Sequence, residues 1–176
     1  MAPTLALLLP ATVQAGGFHV GLAAAPAHLA GAHELRRQVF CVEQRLFVDD
    51  HDDIDALSST IVALAEGDAV VGTVRIHEAE PFLWFGSRLA VARAWRRRAG
   101  LGASLIHAAV SAAHARGCRR FLAHVQLQNV PMFEALHWQA LETCTLHGLH
   151  HALMQADLAY YPPAASPDAG SAGAAA

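Results

Sequence analysis

The chain contains no lysine: all twelve of its basic residues are arginine. That absence excludes the lysine of a nucleotide-binding P-loop, a Schiff-base lysine and a lysine general base. Cysteine is scarce, and Cys41, Cys118 and Cys144 are far apart and odd in number. They form neither a CxxC pair nor a disulfide framework, which points to a reducing, cytoplasmic setting and to cysteines that serve as small buried residues. No apolar run reaches the roughly 18 residues needed to span a bilayer, so no membrane partner is expected. The start, MAPTLALLLPATVQAGG, lacks a basic n-region and is broken by Pro10, so it reads as a leader arm or a start-site artefact rather than a signal peptide. The formal net charge of −3 argues against a nucleic-acid partner. At 176 residues and 54% hydrophobic content, the chain suits one domain with a sizeable core.

Three segments are expected: an arm over 1–17, a domain over 18–161, and a Pro/Ala/Gly/Ser tail over 162–176 that cannot bury enough apolar area to order itself. FHVGLA alternates like a strand, and Pro26 opens a helix on which Leu35 and Val39 share a face up to VFCVEQ. IVALAEGDAVVGTVRIHEAE predicts a hairpin around a Gly-Asp turn, and FLWFGSRLAV a further strand. GLGASLIHAAVSAAHARG is the clearest helix. Leu101, Leu105, Ala109 and Ala112 lie along one side, Ser104, His107, Ser111 and His114 along the other, and Gly117 stops it. FLAHVQ predicts a strand, NVPMFEAL a short helix capped by Asn129, and HALMQADLAY a closing strand. The order is β-α-β-β-β-α-β-α-β, a mixed α/β sheet.

AWRRRAGLGASLI, residues 94–106, carries the most chemistry. Gly100 and Gly102 let backbone approach a ligand closely, and they sit where unpaired helix N–H groups and the dipole attract an anion. Arg96, Arg97 and Arg98 add guanidinium geometry suited to phosphate oxygens. A solvated basic turn that caps a helix is the alternative. A dinucleotide fingerprint fits less well, because the third glycine is missing and CRRFL stands where an acidic ribose ligand belongs.

Strand, Arg97-x-x-Gly100-x-Gly102, helix, strand and then Asn129 on a short helix together resemble the GNAT superfamily of N-acetyltransferases, over roughly residues 18–161. LRRQVFCVEQRLF, VVGTVRI, SRLAV, VQLQNVPMF and HALMQADLAYYP are most similar to the nitrogen-starvation subgroup found with nitrilase-type gene clusters. The resemblance implies a GNAT-like α/β fold: a mostly antiparallel twisted sheet flanked by helices, with a splayed parallel strand pair that holds the cofactor. It implies acetyl-coenzyme A as co-substrate, a small-molecule amine as partner, and room for a homodimer. It places backbone groups of Leu89, Ala90 and Val91 along the pantetheine. The pyrophosphate would lie on the amides of Arg97, Arg98, Ala99, Gly100, Leu101, Gly102 and Ala103. The spacing from Val91 is one residue longer than usual, so either Arg96 or Arg97 takes the family's arginine position. Asn129 would meet the pantetheine arm. Phe133 stands where many members carry a tyrosine that protonates the departing thiolate, and the frequent strand glutamate is also absent, since GSRLAV offers only Ser87 and Arg88.

An alkylammonium must lose a proton before its nitrogen can attack a thioester, so a base is needed. Glu43 is the first candidate and His77 the second. The acidic run DDHDDID has the aspartate alternation of a calcium loop but lacks its glycine and closing glutamate; it reads as a solvated loop, or as one that draws in a cationic amine. HGLHH has no matching ligand cluster, and no metal is expected. Direct N-acetyl transfer is the expected activity. An acyl-homoserine-lactone-synthase-like acyltransferase and a non-catalytic acyl-coenzyme A sensor are the alternatives.

Overall fold

The computed structural model describes residues 12–14, 17–98 and 100–165. The strands are β1 (Thr12–Gln14), β2 (Phe18–Leu22), β3 (Ser59–Ala65), β4 (Val70–Glu80), β5 (Leu83–Val91), β6 (Arg120–Gln126), β7 (Trp138–Leu146) and β8 (Leu149–Ala156). The helices are α1 (Pro26–Arg36), α2 (Leu101–Ala115) and α3 (Val130–Ala135). Among the described residues the strands form one sheet in the order β1-β2-β3-β4-β5-β6-β8-β7. Every neighbouring pair is antiparallel except β5 and β6, which run parallel. This is the mixed α/β arrangement expected from the sequence, with two strands added. β1 extends the sheet edge beside β2. β7 precedes the closing strand, which itself stops at Ala156 before a short helical turn over Leu158–Tyr160.

Alternation along β3 shows how the two faces are covered. Ile61 and Ala63 belong to the main core with Leu101, Leu105, Val110, Phe121 and Met154. Val62 and Leu64 face the other way and pack with Ala32 of α1. Gly72 of β4 lets α2 seat closely: a Cβ there would lie 2.7 Å from Leu101 Cδ2 and 2.8 Å from Leu105 Cδ1. Burial of Leu101, Leu105 and Ile106 contributes roughly 1.5–3 kcal/mol each, which fixes the helix whose first turn carries the glycines.

On the opposite face, Leu35, Val39 and Phe40 pack against Ala90. α1 loosens into π-helical turns over Arg37–Glu43, with Gln44 N–H bonding Val39 C=O at 3.0 Å and Leu46 N–H bonding Phe40 C=O at 2.8 Å. Such wide turns recur at functional sites, and this one delivers Phe40, Gln44 and Phe47 to the sheet. The β3–β4 turn is the expected one, with Gly67 and Asp68 both at positive φ. Ser111 departs from expectation. It is 5% exposed, because residues after β8 run along that side of α2, where Ala164 N–H bonds Ser111 C=O at 3.1 Å.

Candidate active site

β5 and β6 pair only from Leu83↔Arg120 to Gly86↔Ala123. Beyond that point β6 continues with β8 alone, through His124↔Leu153 to Gln126↔His151. The two parallel strands therefore diverge, and residues 87–91 of β5 have no strand on their β6 side. A bulge marks the divergence: Arg75 opposes Ser87 and Thr73 opposes Ala90, so β5 carries one extra residue, and Arg88 adopts a φ of 54°.

At the far end of β5, Arg93–Trp95 forms a helical turn and the chain swings into α2. Gly100 is the N-cap at φ 90°, a conformation that L side chains rarely adopt. The first helical bond is Ser104 N–H to Gly100 C=O, at 2.8 Å. Among the described residues, Leu101, Gly102 and Ala103 bond no intrahelical carbonyl, which leaves their amides for an anion. A Cβ at Gly102 would meet nothing within 4 Å, so this turn faces open space. Leu101 itself is 1% exposed and anchors the turn in the core. Arg98 lies over Trp95 at 4.0 Å, while Arg97 is exposed beside it. Ala99, also expected here, lies outside the described residues.

A cavity of about 650 Å³ runs through the gap between the diverging strands. Ile106, Ala109, Phe133 and Asn129 line it from the α2 and α3 side; Phe40, Phe47, Asp52 and Arg88 line it from the other. Leu89 borders it, whereas Ala90 is buried against α1 and the Val91 carbonyl accepts Arg96 Nε at 3.0 Å. Asn129 occupies the N-cap position of α3 but makes no capping hydrogen bond, which leaves its exposed side chain at the cavity wall. Phe133 is buried edge-on to Trp138 at 5.0 Å.

The two candidate bases sit differently. Glu43 is outside the cavity lining, and its Oε2 lies 2.6 Å from Arg96 Nη2. His77 lines the cavity and stacks with Phe85 at 6.1 Å, and Phe85 stacks in turn with His124 at 5.9 Å. The His77 Nδ1 is enclosed and has no hydrogen-bond partner among the described residues. Burial, and then the charge of Arg75, hold the imidazole below its ordinary pKa. Burial, and then His151, do the same to His124.

The acidic run is a solvated loop only in part: Asp49, His51, Asp52 and Asp53 are exposed, whereas Asp50 and Asp55 are drawn into ion pairs. Asp50 is 1% exposed and bonds Arg36 Nε at 2.5 Å. Asp55 accepts from Arg36 Nη1 at 2.7 Å and from Arg75 Nη1 at 2.9 Å. Asp52 binds Arg75 Nη1 at 2.5 Å and Arg88 Nη2 at 3.1 Å. Three arginines and three aspartates pair with one another in and behind the cavity wall, with Asp52, Arg75 and Arg88 lining it. Burial pushes the Asp55 carboxyl up, but hydrogen bonds from Arg36 and Arg75 outweigh it and hold the group well below the usual carboxylate range. His147 and Gly148 of HGLHH form a turn, and Leu149, His150 and His151 begin β8. Leu146↔Leu149 closes the β7–β8 hairpin, and His147 and Gly148 have φ of 50° and 76°, as a two-residue hairpin loop with both centres left-handed requires.

A family model described as the acetyltransferase (GNAT) family matches residues 29–154. No curated protein matches the chain in sequence. Among solved structures, a Lactobacillus plantarum protein provisionally described as an N-acetyltransferase is 22% identical, with a TM-score of 0.71 over 80% of this chain and 97% of that one. An acyl-CoA N-acyltransferase from Pseudomonas aeruginosa is 19% identical, with a TM-score of 0.64 over 80% and 98%. BjaI, a CoA-dependent acyl-homoserine lactone synthase solved with SAM and isopentyl-CoA, is 20% identical, with a TM-score of 0.63 over 77% and 79%. At these identities the likeness is one of fold.

Proposed function

Because the chain belongs to the acetyltransferase (GNAT) family, we propose that it transfers an acetyl group from acetyl-coenzyme A directly to the amine of a small molecule. One observation carries the reading: the unpaired stretch of β5 leads straight into a glycine turn with free amides, and a cavity passes through the sheet beside it. The residues fit the group. Gly100 needs its positive φ, Gly102 leaves room for a phosphate, and the amides of residues 101–103 supply donors to a pyrophosphate. Strand edge groups of residues 87–91 suit an extended pantetheine.

The thioester supplies an activated acyl carbon and a thiol leaving group. Strand amides facing the gap polarise its carbonyl. The acceptor reacts as the neutral amine: its nitrogen forms the C–N bond, the C–S bond breaks, and the proton this leaves on the nitrogen goes to a base. We assign that base to His77, which lines the cavity and whose imidazole burial and Arg75 hold below its ordinary pKa, in the proton-accepting form. Glu43 is a positioning residue that holds Arg96 beside the glycine turn. Phe133 has no proton to give, so the thiol leaves as a thiolate, which an ordinary thiol pKa of about 8.5 permits. The motif set favours the nitrogen-starvation subgroup, and the three free cysteines fit a cytoplasmic enzyme.

A thiol-release screen of acetyl-coenzyme A against a panel of amines tests the proposal. Steady release with at least one amine, and an acetylated product by mass spectrometry, is the expected result. Turnover only with longer acyl donors would favour the acyl-homoserine-lactone-type reading. Tight coenzyme binding with no release for any amine would favour a sensor.

A further inference from the structure

The acceptor half of the cavity limits what the amine can carry. Both lining carboxylates are already engaged. Asp52 Oδ1 receives Arg75 Nη1 at 2.5 Å and Ile54 N–H at 3.1 Å; its Oδ2 receives Arg75 Nη2 and Arg88 Nη2, each at 3.1 Å. Asp49 Oδ1 is held by His51, by the backbone N–H at 3.1 Å and by Nδ1 at 2.7 Å, at the exposed rim. An acidic wall for a polyamine is therefore missing, although the acidic run lies beside the site.

Arg88 is the reverse case. Its Nη2 is fixed by Asp52 and by the Asp50 carbonyl at 3.2 Å, and its plane lies over Phe47 at 4.5 Å. Its Nη1 makes no hydrogen bond among the described residues and is not among the enclosed unpartnered atoms. The bulge at φ 54° is what turns this side chain to the cavity wall instead of along the strand. Arg88 Nε is enclosed and has no hydrogen-bond partner among the described residues, so Nη1 is the one nitrogen of this fixed guanidinium left to donate a charge-assisted hydrogen bond to a carboxylate. The neighbouring His77 and His124 stack on Phe85, so the remaining wall is aromatic and without anionic charge.

Resting on the N-acyltransferase reading above, we propose that the acceptor is an amino acid or a similar amine bearing a carboxylate, with Arg88 Nη1 as the carboxylate anchor. The amine then lies toward His77, and the side chain lies among Phe40, Phe47 and Phe85.

Paired probes test this by binding, with no turnover required: L-phenylalanine with 2-phenylethylamine, L-methionine with 3-(methylthio)propylamine, and L-histidine with histamine. Each is titrated by ligand-observed NMR against the full chain, with and without saturating coenzyme A. At least one amino acid is expected to bind tighter than its decarboxylated partner by about 10- to 100-fold, the equivalent of one charge-assisted pair. Arg88→Gln is expected to erase that preference by weakening the amino acid alone, and Arg88→Lys, which keeps the charge but not the Nη1 donor fixed in place, to restore it only in part. If the Arg88 variants fail to fold, the comparison of partners on the natural chain stands by itself. Equal or tighter binding of the decarboxylated amines, or no binding by any amino acid of the panel, overturns the proposal. The transferase reading falls on a different result, the absence of coenzyme A binding.

Discussion

Arg96 Nη2 lies 2.6 Å from Glu43 Oε2, so the basic turn and the end of the π-helical segment are tied across the open edge of β5. The same guanidinium bonds the Val91 carbonyl at 3.0 Å. The first-choice base and one of the two candidate phosphate arginines therefore occupy each other. Glu43→Gln is expected to change kcat by less than about threefold while altering the KM for acetyl-coenzyme A. His77→Gln is expected to lower kcat by about 100-fold or more, the range for loss of a general base. Steady-state thiol release on the two variants checks this; a large kcat loss confined to Glu43→Gln would reverse the assignment.

The pH profile gives an independent reading of His77. Its folded pKa is lowered, by burial first and by Arg75 second, so the ring is in its proton-accepting form at neutral pH. Activity should fall only once pH drops below the ordinary imidazole value of 6.5. That acid limb should disappear in His77→Gln, measured as log kcat against pH between 4.5 and 8.

Gly100 and Gly102 separate folding from binding. Gly100→Ala forces a side chain to φ 90° and should cost about 1–2 kcal/mol of stability. Gly102→Ala meets open space within a helix, so stability should be unchanged or higher by up to about 1 kcal/mol. Its new Cβ stands where the phosphate is expected, and affinity for coenzyme A should fall. Denaturant melts beside calorimetric titrations distinguish the two effects.

The buried charge cluster sets acid stability. Arg75 is 2% exposed, and Arg75→Leu leaves Asp55 with Arg36 alone and Asp52 with Arg88 alone, at a cost of about 1.5–3 kcal/mol. Hydrogen bonding from Arg75 lowers the Asp52 pKa, and Asp55 is lowered by Arg36 and Arg75 against its own burial. Folded pKa values below the unfolded ones mean that this stability is fully present above about pH 4. It is lost as pH falls through the folded values. Urea midpoints between pH 5 and 2 should drop steeply for the natural chain and less steeply for Asp55→Asn.

The parts legible in the sequence were those with a local signature. α2 was written in its helical period and its two glycines, and the β3–β4 hairpin in its Gly-Asp turn. β7 was not, because it is an edge strand exposed from Gln139 to Thr143 whose register shifts between Ala140 and Glu142, so no apolar alternation marks it. The charge cluster was illegible as a unit, since Arg36, Asp50, Asp55 and Arg75 meet only in the folded chain. One signal was available: Arg75 interrupts the apolar strand VVGTVRI, and a charge at a buried strand position demands a partner, for which the acidic run nearby was the natural candidate.

The central claim is that the gap beside β5 and the turn at Gly100–Gly102 form an acyl-coenzyme A site. Calorimetric titration of acetyl-coenzyme A into the folded chain tests it most directly. The account predicts saturable binding at one site per chain, weakened by Gly102→Ala without loss of fold. An absence of binding by a chain that still shows a cooperative melt would contradict it.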